Sequence, residues 1–394
     1  MAVAALAFSG GLDTSFAVLA LRREGYDVVT VTVDTGGFTP EQLAAVAQRA
    51  KAVGAKRHVA VDARREIFDR FFSYILRGNV LRGGIYPVAV GAERQAQAEH
   101  LLRVAKAERA AAVAHGSTGA GNDQIRFDVA LRALAPGLTV LAPIRSGGVA
   151  REESAKALEA VGVHVPAKTT RYSVNQGLVG TTVGGGETHD PWATIPEEAF
   201  AEAGSRIDPD APEREIVIGF SKGLPSELDG APLDPLDLMA RLDAWARPLG
   251  IGRGVHLGDT ILGIKGRIGF VAPAATILIA AHRELEKLVL TKRQRDVKDR
   301  AGSLYGDLLH EGLYLDPVCR DLERLLESSQ ERVTGDARVR LRRLGCDILG
   351  VRAPHALSVT GARYGEGSSL WDGRDAEGFA KIYGIASRLA EESR

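Results

Sequence analysis

The chain has 394 residues, of which 45% are hydrophobic and 25% charged, and its 50 basic and 50 acidic side chains cancel. This composition is typical of a soluble globular protein of two or three domains, and the balanced charge gives no general attraction to nucleic acid or to an anionic membrane. Two cysteines, Cys319 and Cys346, are too few for a disulfide framework or a zinc ribbon. No apolar run is long enough to cross a bilayer. We therefore expect a cytoplasmic protein with no nucleic-acid or membrane partner.

The first 165 residues alternate between two patterns. Five short apolar runs are typical of strands buried on both faces of a parallel sheet, at residues 3–8, 28–33, 58–61, 111–114 and 139–142. Between them lie segments with the apolar spacing of helices, at residues 14–24, 40–53, 64–76, 89–108 and 151–161. Repeated alternation of strand and helix predicts an α/β domain with a doubly wound, mostly parallel sheet over residues 1–165.

After about Pro166 the pattern changes. Short strands are expected at residues 214–220, 260–264, 337–344 and 347–351. Long helices are expected at residues 234–246, 275–290, 294–310 and 317–329. A final helix at residues 376–389 follows a glycine-rich stretch, which favours packing on another subunit. We predict an α+β domain for catalysis and multimerisation over residues 166–365 and a C-terminal oligomerisation helix within residues 366–394.

The strongest motif, residues 9–15 (SGGLDTS), directly follows the first predicted strand. Two adjacent glycines allow a tight turn that brings backbone N–H groups close to a ligand, and the following helix presents its positive N-terminus to an anion. No lysine follows the glycines, so this is not the loop of ordinary nucleoside triphosphatases. A glycine turn with a Ser/Thr helix cap is the structural alternative, but the strand–loop–helix context favours a phosphate-binding site.

A second polar segment, residues 115–127, follows another predicted buried strand. It holds three glycines, two hydroxyls, Asn122, Asp123 and Arg126. A zwitterionic amino acid needs such a set, because its carboxylate requires donors and its ammonium requires an acidic acceptor. A polar turn that caps the next helix would explain Asn122 and Asp123 but not Arg126.

These motifs give the chain its resemblance to the argininosuccinate synthase family, within the PP-loop (N-type) ATP pyrophosphatase superfamily. The loop at residues 9–15 resembles the PP-loop, which holds the pyrophosphate that leaves ATP. Further matches lie at residues 86–87, 92–94, 115–127, 172–173, 263–267, 272–273 and 330–335. The resemblance extends from Leu6 to about Thr334 and is weaker up to the final helix.

The resemblance implies a ligase of arginine biosynthesis and the urea cycle that uses ATP and Mg²⁺. Citrulline and aspartate would be its substrates, a citrulline-adenylate its intermediate, AMP and pyrophosphate its by-products, and a homotetramer its assembly. By motif match, ATP would contact Ala7, Phe8, Ser9, Gly10, Gly11, Leu12, Asp13, Thr14, Ser15, Val33 and Gly116. Aspartate would be held by Thr118, Asn122 and Asp123. Citrulline would be held by Tyr86, Asn122, Arg126, Ser173 and Thr182.

The resemblance also implies roles in the chemistry for three of these residues. Ser9, Asp13 and Asp123 would be catalytic, and Asp13 would help to place Mg²⁺. An acidic partner for the helix dipole is the structural alternative for Asp13.

Three positions expected on the citrulline side depart from the residues that are common in the family, and the stretch at residues 33–38 also differs from the usual sequence. Gly91 replaces a serine, Gly258 a glutamate and Phe270 a tyrosine. Two explanations compete. The chain is a divergent branch that binds citrulline with other residues, such as Glu93, Arg94 or Asp259, or it is a paralogue that joins aspartate to a related ureido compound such as an acylated citrulline. We favour the first, because Arg126 and Ser173 remain.

Two rival functions use the same phosphate loop. A tRNA-modifying PP-loop enzyme would have a basic face and usually a cysteine near its site, and the zero net charge and the two distant cysteines argue against it. A nucleotide-binding regulator without turnover would bind ATP and release no pyrophosphate.

Overall fold

The computed structural model describes residues 1–148, 151–164, 171–358 and 364–394. The first part of the chain forms a five-stranded parallel sheet in the order β3-β2-β1-β4-β5. Its strands are β1 (Ala2–Ala7), β2 (Tyr26–Asp34), β3 (Arg57–Asp62), β4 (Ala112–Ala114) and β5 (Thr139–Leu141). Its helices are α1 (Leu12–Arg23), α2 (Pro40–Ala52), α3 (Arg64–Ile67), α4 (Ser73–Arg77), α5 (Glu93–Ala107), α6 (Asp123–Leu134), α7 (Pro143–Gly147) and α8 (Arg151–Glu159).

Helices cover both faces of this sheet. Leu6 of β1 packs with Phe16 of α1 on one face, whereas Ala5 of β1 packs with Leu101 of α5 and Leu131 of α6 on the other. Neighbouring residues of a strand point to opposite faces, so a strand covered on both sides must be apolar throughout. This confirms the predicted doubly wound α/β fold. The strand order reverses between β1 and β4, which opens a crevice at their carboxyl ends.

The second part of the chain contains two antiparallel sheets and several long helices, which confirms the predicted α+β class. A four-stranded sheet has the order β11-β12-β7-β6 and a five-stranded sheet the order β10-β9-β8-β13-β14. The strands are β6 (Tyr172–Gln176), β7 (Thr181–Gly185), β8 (Arg214–Ser221), β9 (Leu224–Leu228), β10 (Ala231–Pro232), β11 (Arg253–Asp259), β12 (Lys265–Val271), β13 (Gly335–Arg342) and β14 (Gly345–Arg352). The helices are α9 (Glu197–Glu202), α10 (Pro235–Ala246), α11 (Pro273–Val289), α12 (Lys292–Glu311), α13 (Pro317–Gln330), α14 (Gly373–Tyr383) and α15 (Ile385–Glu392).

The predicted strand at residues 260–264 is wrong. This segment is the loop between β11 and β12, in which the Thr260 hydroxyl donates to the Ile264 carbonyl and Gly263 has a φ of +80°. The true strands on either side were missed, as were β6 and β7, because glycine and polar residues interrupt their apolar pattern. One face of these strands lines the cleft described below and does not need apolar side chains.

Three predicted helices differ from the structure in their start or in their continuity. The helix expected at residues 89–108 begins only at Glu93. A π-helical turn, Phe68–Phe72, joins α3 to α4. The final helix is two helices with Gly384 between them, and neither buries a residue. Among the described residues, no helix combines the length and the apolar composition needed to span a membrane.

Candidate active site

The loop between β1 and α1 has the shape of an anion-binding turn. Gly10 adopts a φ of +74°, and a Cβ added there would lie 2.9 Å from Cγ2 of Val46. Gly11 is the N-cap of α1 in extended conformation, and no side chain caps the helix there. The Ser9 hydroxyl lies 3.2 Å from the Thr14 hydroxyl and accepts a hydrogen bond from the Gly11 N–H at 3.3 Å. Hydroxyls and the helix N-terminus therefore meet at one point, as an anionic ligand requires.

The loop after β4 lies directly against this turn. A Cβ added at Gly116 would be 2.8 Å from Cγ2 of Thr14, so the two backbones approach closely only because residue 116 is glycine. Ala7, Phe8 and Val33 lie at or near the carboxyl ends of β1 and β2. The structure thus brings most of the predicted ATP-binding residues to one edge of the sheet.

Several residues of the predicted ATP set have their side chains in the interior, among them Phe8 and Val33, which belong to the cores on the two faces of the sheet. Leu12 belongs to the hydrophobic core beneath α1. Ser15 is completely buried, and its hydroxyl has no hydrogen-bond partner within the part of the chain that the structure describes. Leu12 can therefore offer a ligand only its backbone, and the Ser15 hydroxyl is enclosed below the turn.

An ion-pair cluster lies beside the N-terminus of α6. Asp123 Oδ2 accepts from Arg94 Nη2 at 2.9 Å, and its Oδ1 accepts from Arg126 Nη1 at 2.8 Å. Burial acts to raise the pKa of Asp123, but the charges and hydrogen bonds of the two guanidinium groups hold that pKa well below its ordinary value. Arg94 Nη2 also donates to Oδ1 of Asn175 on β6, at 3.0 Å. This cluster connects the two parts of the chain.

The other predicted residues of the 115–127 segment have different surroundings. Asn122 Oδ1 accepts from the backbone N–H of Ile261, in the β11–β12 loop, at 3.0 Å. Thr118 is exposed on the loop after β4. His115, which precedes the loop, is buried and pairs through Nε2 with Asp128 at 2.9 Å, a structural role.

One face of the four-stranded sheet forms the opposite wall of the cleft. Asn175 is directly across from Thr182, and Thr182 from Phe270. Because residues opposite each other share a face, and so do alternate residues of a strand, Ser173 lies on this face as well. The contact of Asn175 with Arg94 shows that this face points to the ion-pair cluster. The predicted citrulline residues Ser173 and Thr182 therefore lie on the face of the sheet that points to the ion-pair cluster.

Tyr86 and Arg126 complete this wall with two histidines that sequence analysis missed. Tyr86 is buried, stacks on His256 at 5.4 Å and packs against Phe270 at 5.3 Å between ring centres. Arg126 donates through Nε to the His310 carbonyl at 2.8 Å and lies with Nη2 3.2 Å from His310 Nδ1. A guanidinium has no acceptor, so Nδ1 of His310 accepts and the ring carries its proton on Nε2. Burial, together with the positive charges of Arg126 and Arg82, lowers the pKa of His310 to about 3.

The three residues expected to replace lost citrulline contacts lie in different surroundings. Glu93 is buried, and its Oε2 accepts from the Thr35 hydroxyl at 3.0 Å. Its Oε1 finds no hydrogen-bond partner in the described ranges and occupies the space where Gly177 lacks a side chain. Burial raises the pKa of Glu93 to about 8. Arg94 is already engaged by Asp123 and Asn175. Asp259 is exposed and pairs with Lys265, and because neighbouring residues of β11 point to opposite faces it lies on the other face of the sheet from Gly258.

The residues present fit a magnesium ion that arrives with the nucleotide. In the part of the chain that the structure describes, no three His, Cys, Asp or Glu side chains group as a metal site. Mg²⁺ commonly uses one or two carboxylates, waters and substrate phosphates in place of an all-protein cage. Asp13, in the first turn of α1 beside the loop, is such a carboxylate.

Comparison with known proteins gives a consistent result along nearly the whole chain. The family model described as "Arginosuccinate synthase N-terminal HUP domain" matches residues 3–164, and "Arginosuccinate synthase C-terminal domain" matches residues 172–390. The argininosuccinate synthase of Xanthomonas axonopodis pv. citri is 39% identical over 98% of this chain and 93% of its own length. That of Xylella fastidiosa is 38% identical over 98% and 96%, and that of Methanocaldococcus jannaschii is 34% identical over 99% and 98%.

Proposed function

The chain belongs to the argininosuccinate synthase family and is an ATP-using ligase of arginine biosynthesis, and from this premise we propose that it joins citrulline to aspartate through a citrulline-adenylate. The ureido carbon of citrulline is a poor electrophile until its oxygen becomes a leaving group. The ureido oxygen attacks the α-phosphorus of ATP and releases pyrophosphate. The α-amine of aspartate then attacks the ureido carbon, loses a proton and displaces AMP, which gives argininosuccinate.

The observation that carries this proposal is the position of the phosphate loop beside the Asp123 cluster. Both lie after neighbouring strands, β1 and β4, where the strand order reverses. Ser9, the glycine backbone and the N-terminus of α1 stabilise the negative charge of the departing pyrophosphate. Mg²⁺, when bound beside Asp13, would neutralise further phosphate charge. No covalent enzyme intermediate is needed, because positioning and charge stabilisation account for the catalysis.

The charge of the cluster supports two substrates with carboxylates. Arg94 and Arg126 supply two positive charges and Asp123 one negative charge, and Glu93 is mostly uncharged at neutral pH because of its raised pKa. The excess positive charge favours a substrate carboxylate. We assign aspartate to Thr118, Asn122 and Asp123, and citrulline to Tyr86, Asn122, Arg126, Ser173 and Thr182.

We also propose a cytoplasmic homotetramer in which the C-terminal segment, residues 366–394, contacts other subunits. The helices α14 and α15 bury none of their residues and expose Phe379, Ile382 and Leu389. Apolar side chains left exposed on amphipathic helices are typical of an interface. Size measurement in solution with and without residues 373–394 tests this assembly.

One experiment tests the reaction. The purified protein is incubated with ATP, aspartate and citrulline labelled with ¹⁸O in the ureido group. We expect AMP, pyrophosphate and argininosuccinate in equal amounts, with the label in AMP, because the ureido oxygen leaves with the adenylyl group. Formation of ADP, or of AMP without the label, would contradict the adenylate pathway.

A further inference from the structure

His256 lies in the wall of the cleft that we assign to citrulline. It is directly across from Ile268 on β12, two residues from Phe270, which is across from Thr182. His256 therefore shares the sheet face of Thr182, and its stacking on Tyr86 confirms this orientation. Its side chain is 8% exposed, and its Nε2 atom has no hydrogen-bond partner among the described residues.

Glycines around the ring make room for it. A Cβ added at Gly258 would lie 2.6 Å from Nε2 of His256, and one added at Gly83 would lie 3.1 Å from the ring. Gly254, on the same face of β11, leaves the space that the Phe270 ring fills. Glycine inside a strand weakens it, and it commonly marks a place where another group approaches the backbone closely. The imidazole thus lies flat along β11, where the side chain of residue 258 would otherwise stand.

The surroundings of the ring favour an oxygen atom as its partner. Burial and the positive charge of Arg82 lower the pKa of His256, so the ring is neutral. Two carboxylates near this wall are already paired, Asp123 with two arginines and Asp307 with Arg82, and Glu93 is mostly uncharged at neutral pH because of its raised pKa. The arginines of this wall and the N–H group of His256 attract a carboxylate or carbonyl oxygen. A ligand ammonium would find no carboxylate left to accept its hydrogen bonds.

We propose that His256 binds the ureido acceptor by donating a hydrogen bond from Nε2 to an oxygen of its carboxylate or acyl group. This inference rests on the proposed function, since it assigns a specificity-determining residue to the same acceptor site. The ligand class is a ureido amino acid, free or N-acylated. An unsatisfied buried nitrogen is costly, and the ligand oxygen would relieve that cost.

Two variants separate the hydrogen bond from the shape of the ring. His256→Phe keeps the stacking on Tyr86 and removes Nε2, whereas His256→Gln keeps a donor in the same region. We expect His256→Phe to raise the KM for citrulline about tenfold, as loss of one hydrogen bond does, with the KM values for ATP and aspartate unchanged. His256→Gln should recover part of the affinity. His355→Phe, at an exposed histidine, is the matched control.

The same variants are measured with citrulline and with N-acetylcitrulline, and citrulline binding is measured by calorimetry in the absence of turnover. An unchanged affinity for both acceptors in His256→Phe would overturn the role of His256 while the proposed function stands. Equal increases in all three KM values would also overturn it, since they would indicate a structural role. Absence of AMP and pyrophosphate from the wild-type enzyme would overturn the proposed function, and calorimetry would still decide whether His256 binds the ureido compound.

Discussion

The two walls of the cleft are built by different means. The phosphate wall consists of backbone turns at the ends of β1 and β4. Glycine is required there because a Cβ added at Gly10 or Gly116 would lie less than 3 Å from the side chain of Val46 or Thr14. The acceptor wall consists of side chains on a sheet face, among them Ser173, His256 and Phe270. A wall made of backbone leaves little choice of residue, whereas a wall made of side chains can exchange one polar group for another.

This difference explains two of the chain's departures from the usual residues of its family. Gly258 and Phe270 lie on the acceptor wall, and at each of them a glycine leaves space that a neighbouring ring fills. Gly258 leaves the space for His256, and Gly254 leaves the space for Phe270. In the turn at residues 9–15, by contrast, no glycine makes room for a replacement side chain. Variants of the phosphate wall should therefore lose the chemistry itself, and variants of the acceptor wall should change only which molecule is adenylated and how tightly it binds.

The largest effect is expected at Asp13 on the phosphate wall. Asp13→Ala should reduce pyrophosphate release at least about a thousandfold, because the metal and the triphosphate lose their carboxylate partner. Glu41→Ala removes an acidic residue from the first turn of the neighbouring helix α2 and serves as the control. The measurement is single-turnover release of pyrophosphate with saturating citrulline. Activity within tenfold of the wild type would remove Asp13 from the reaction.

The second effect is a pH dependence at Glu93, which contacts Thr35 after β2 and Gly177 after β6. Its pKa is about 8 in the folded protein against 4.5 ordinarily, so its contribution to stability is present below about pH 4.5 and is lost as the pH rises through 8. Glu93→Gln should therefore increase the free energy of unfolding at pH 9, by on the order of 4 kcal/mol at most, and change it little at pH 4. Denaturant titrations at the two pH values measure this.

Glu99 in the same helix provides the opposite control. Burial acts to raise the pKa of Glu99, but hydrogen bonds from Arg70 and Gln95 hold it below its ordinary value. Its stabilising contribution is present above the ordinary pKa and is lost as the pH falls. Glu99→Gln should thus destabilise the protein at pH 9, and a gain of stability in both variants would contradict the burial argument for Glu93.

The two walls also differ in how much of their structure could be predicted from the sequence. The parallel sheet and the phosphate loop were predictable because their signals are local: an apolar run, two glycines and a helix start within fifteen residues. Strands β6, β7, β11 and β12 were missed, since their cleft-lining face carries glycine and polar residues. His256 was missed because its role depends on Tyr86, 170 positions earlier in the chain. The surrounding Gly83, Gly254 and Gly258 were the available signal, and they are informative only once the strand pairing is known.

Asp123 lies where the walls meet, and its predicted role remains to be tested. Asp123→Asn should raise the KM for aspartate about a hundredfold, because the substrate ammonium loses its acceptor and Arg94 and Arg126 lose the group that orients them. The KM for ATP should stay the same. Asp128→Asn, in the same helix but paired with His115 and Arg145, is the control and should leave the aspartate KM unchanged. A similar KM in both variants would place the aspartate site elsewhere.

The smallest effect is expected at Gly258 of the acceptor wall, where the lack of a side chain leaves space for His256. In Gly258→Ala the new methyl group would lie 2.6 Å from Nε2 of His256, so the ring must shift away from β11 and from its position on Tyr86. We expect the KM for the ureido acceptor to rise roughly threefold to fivefold, less than loss of a whole hydrogen bond, with kcat nearly constant. Gly350→Ala, in strand β14 with open space around the added methyl, is the matched control for a glycine inside a strand. If Gly258→Ala lowers kcat and leaves the acceptor KM unchanged, this wall positions the reacting ureido group, and the assumed division between a chemical wall and a recognition wall fails.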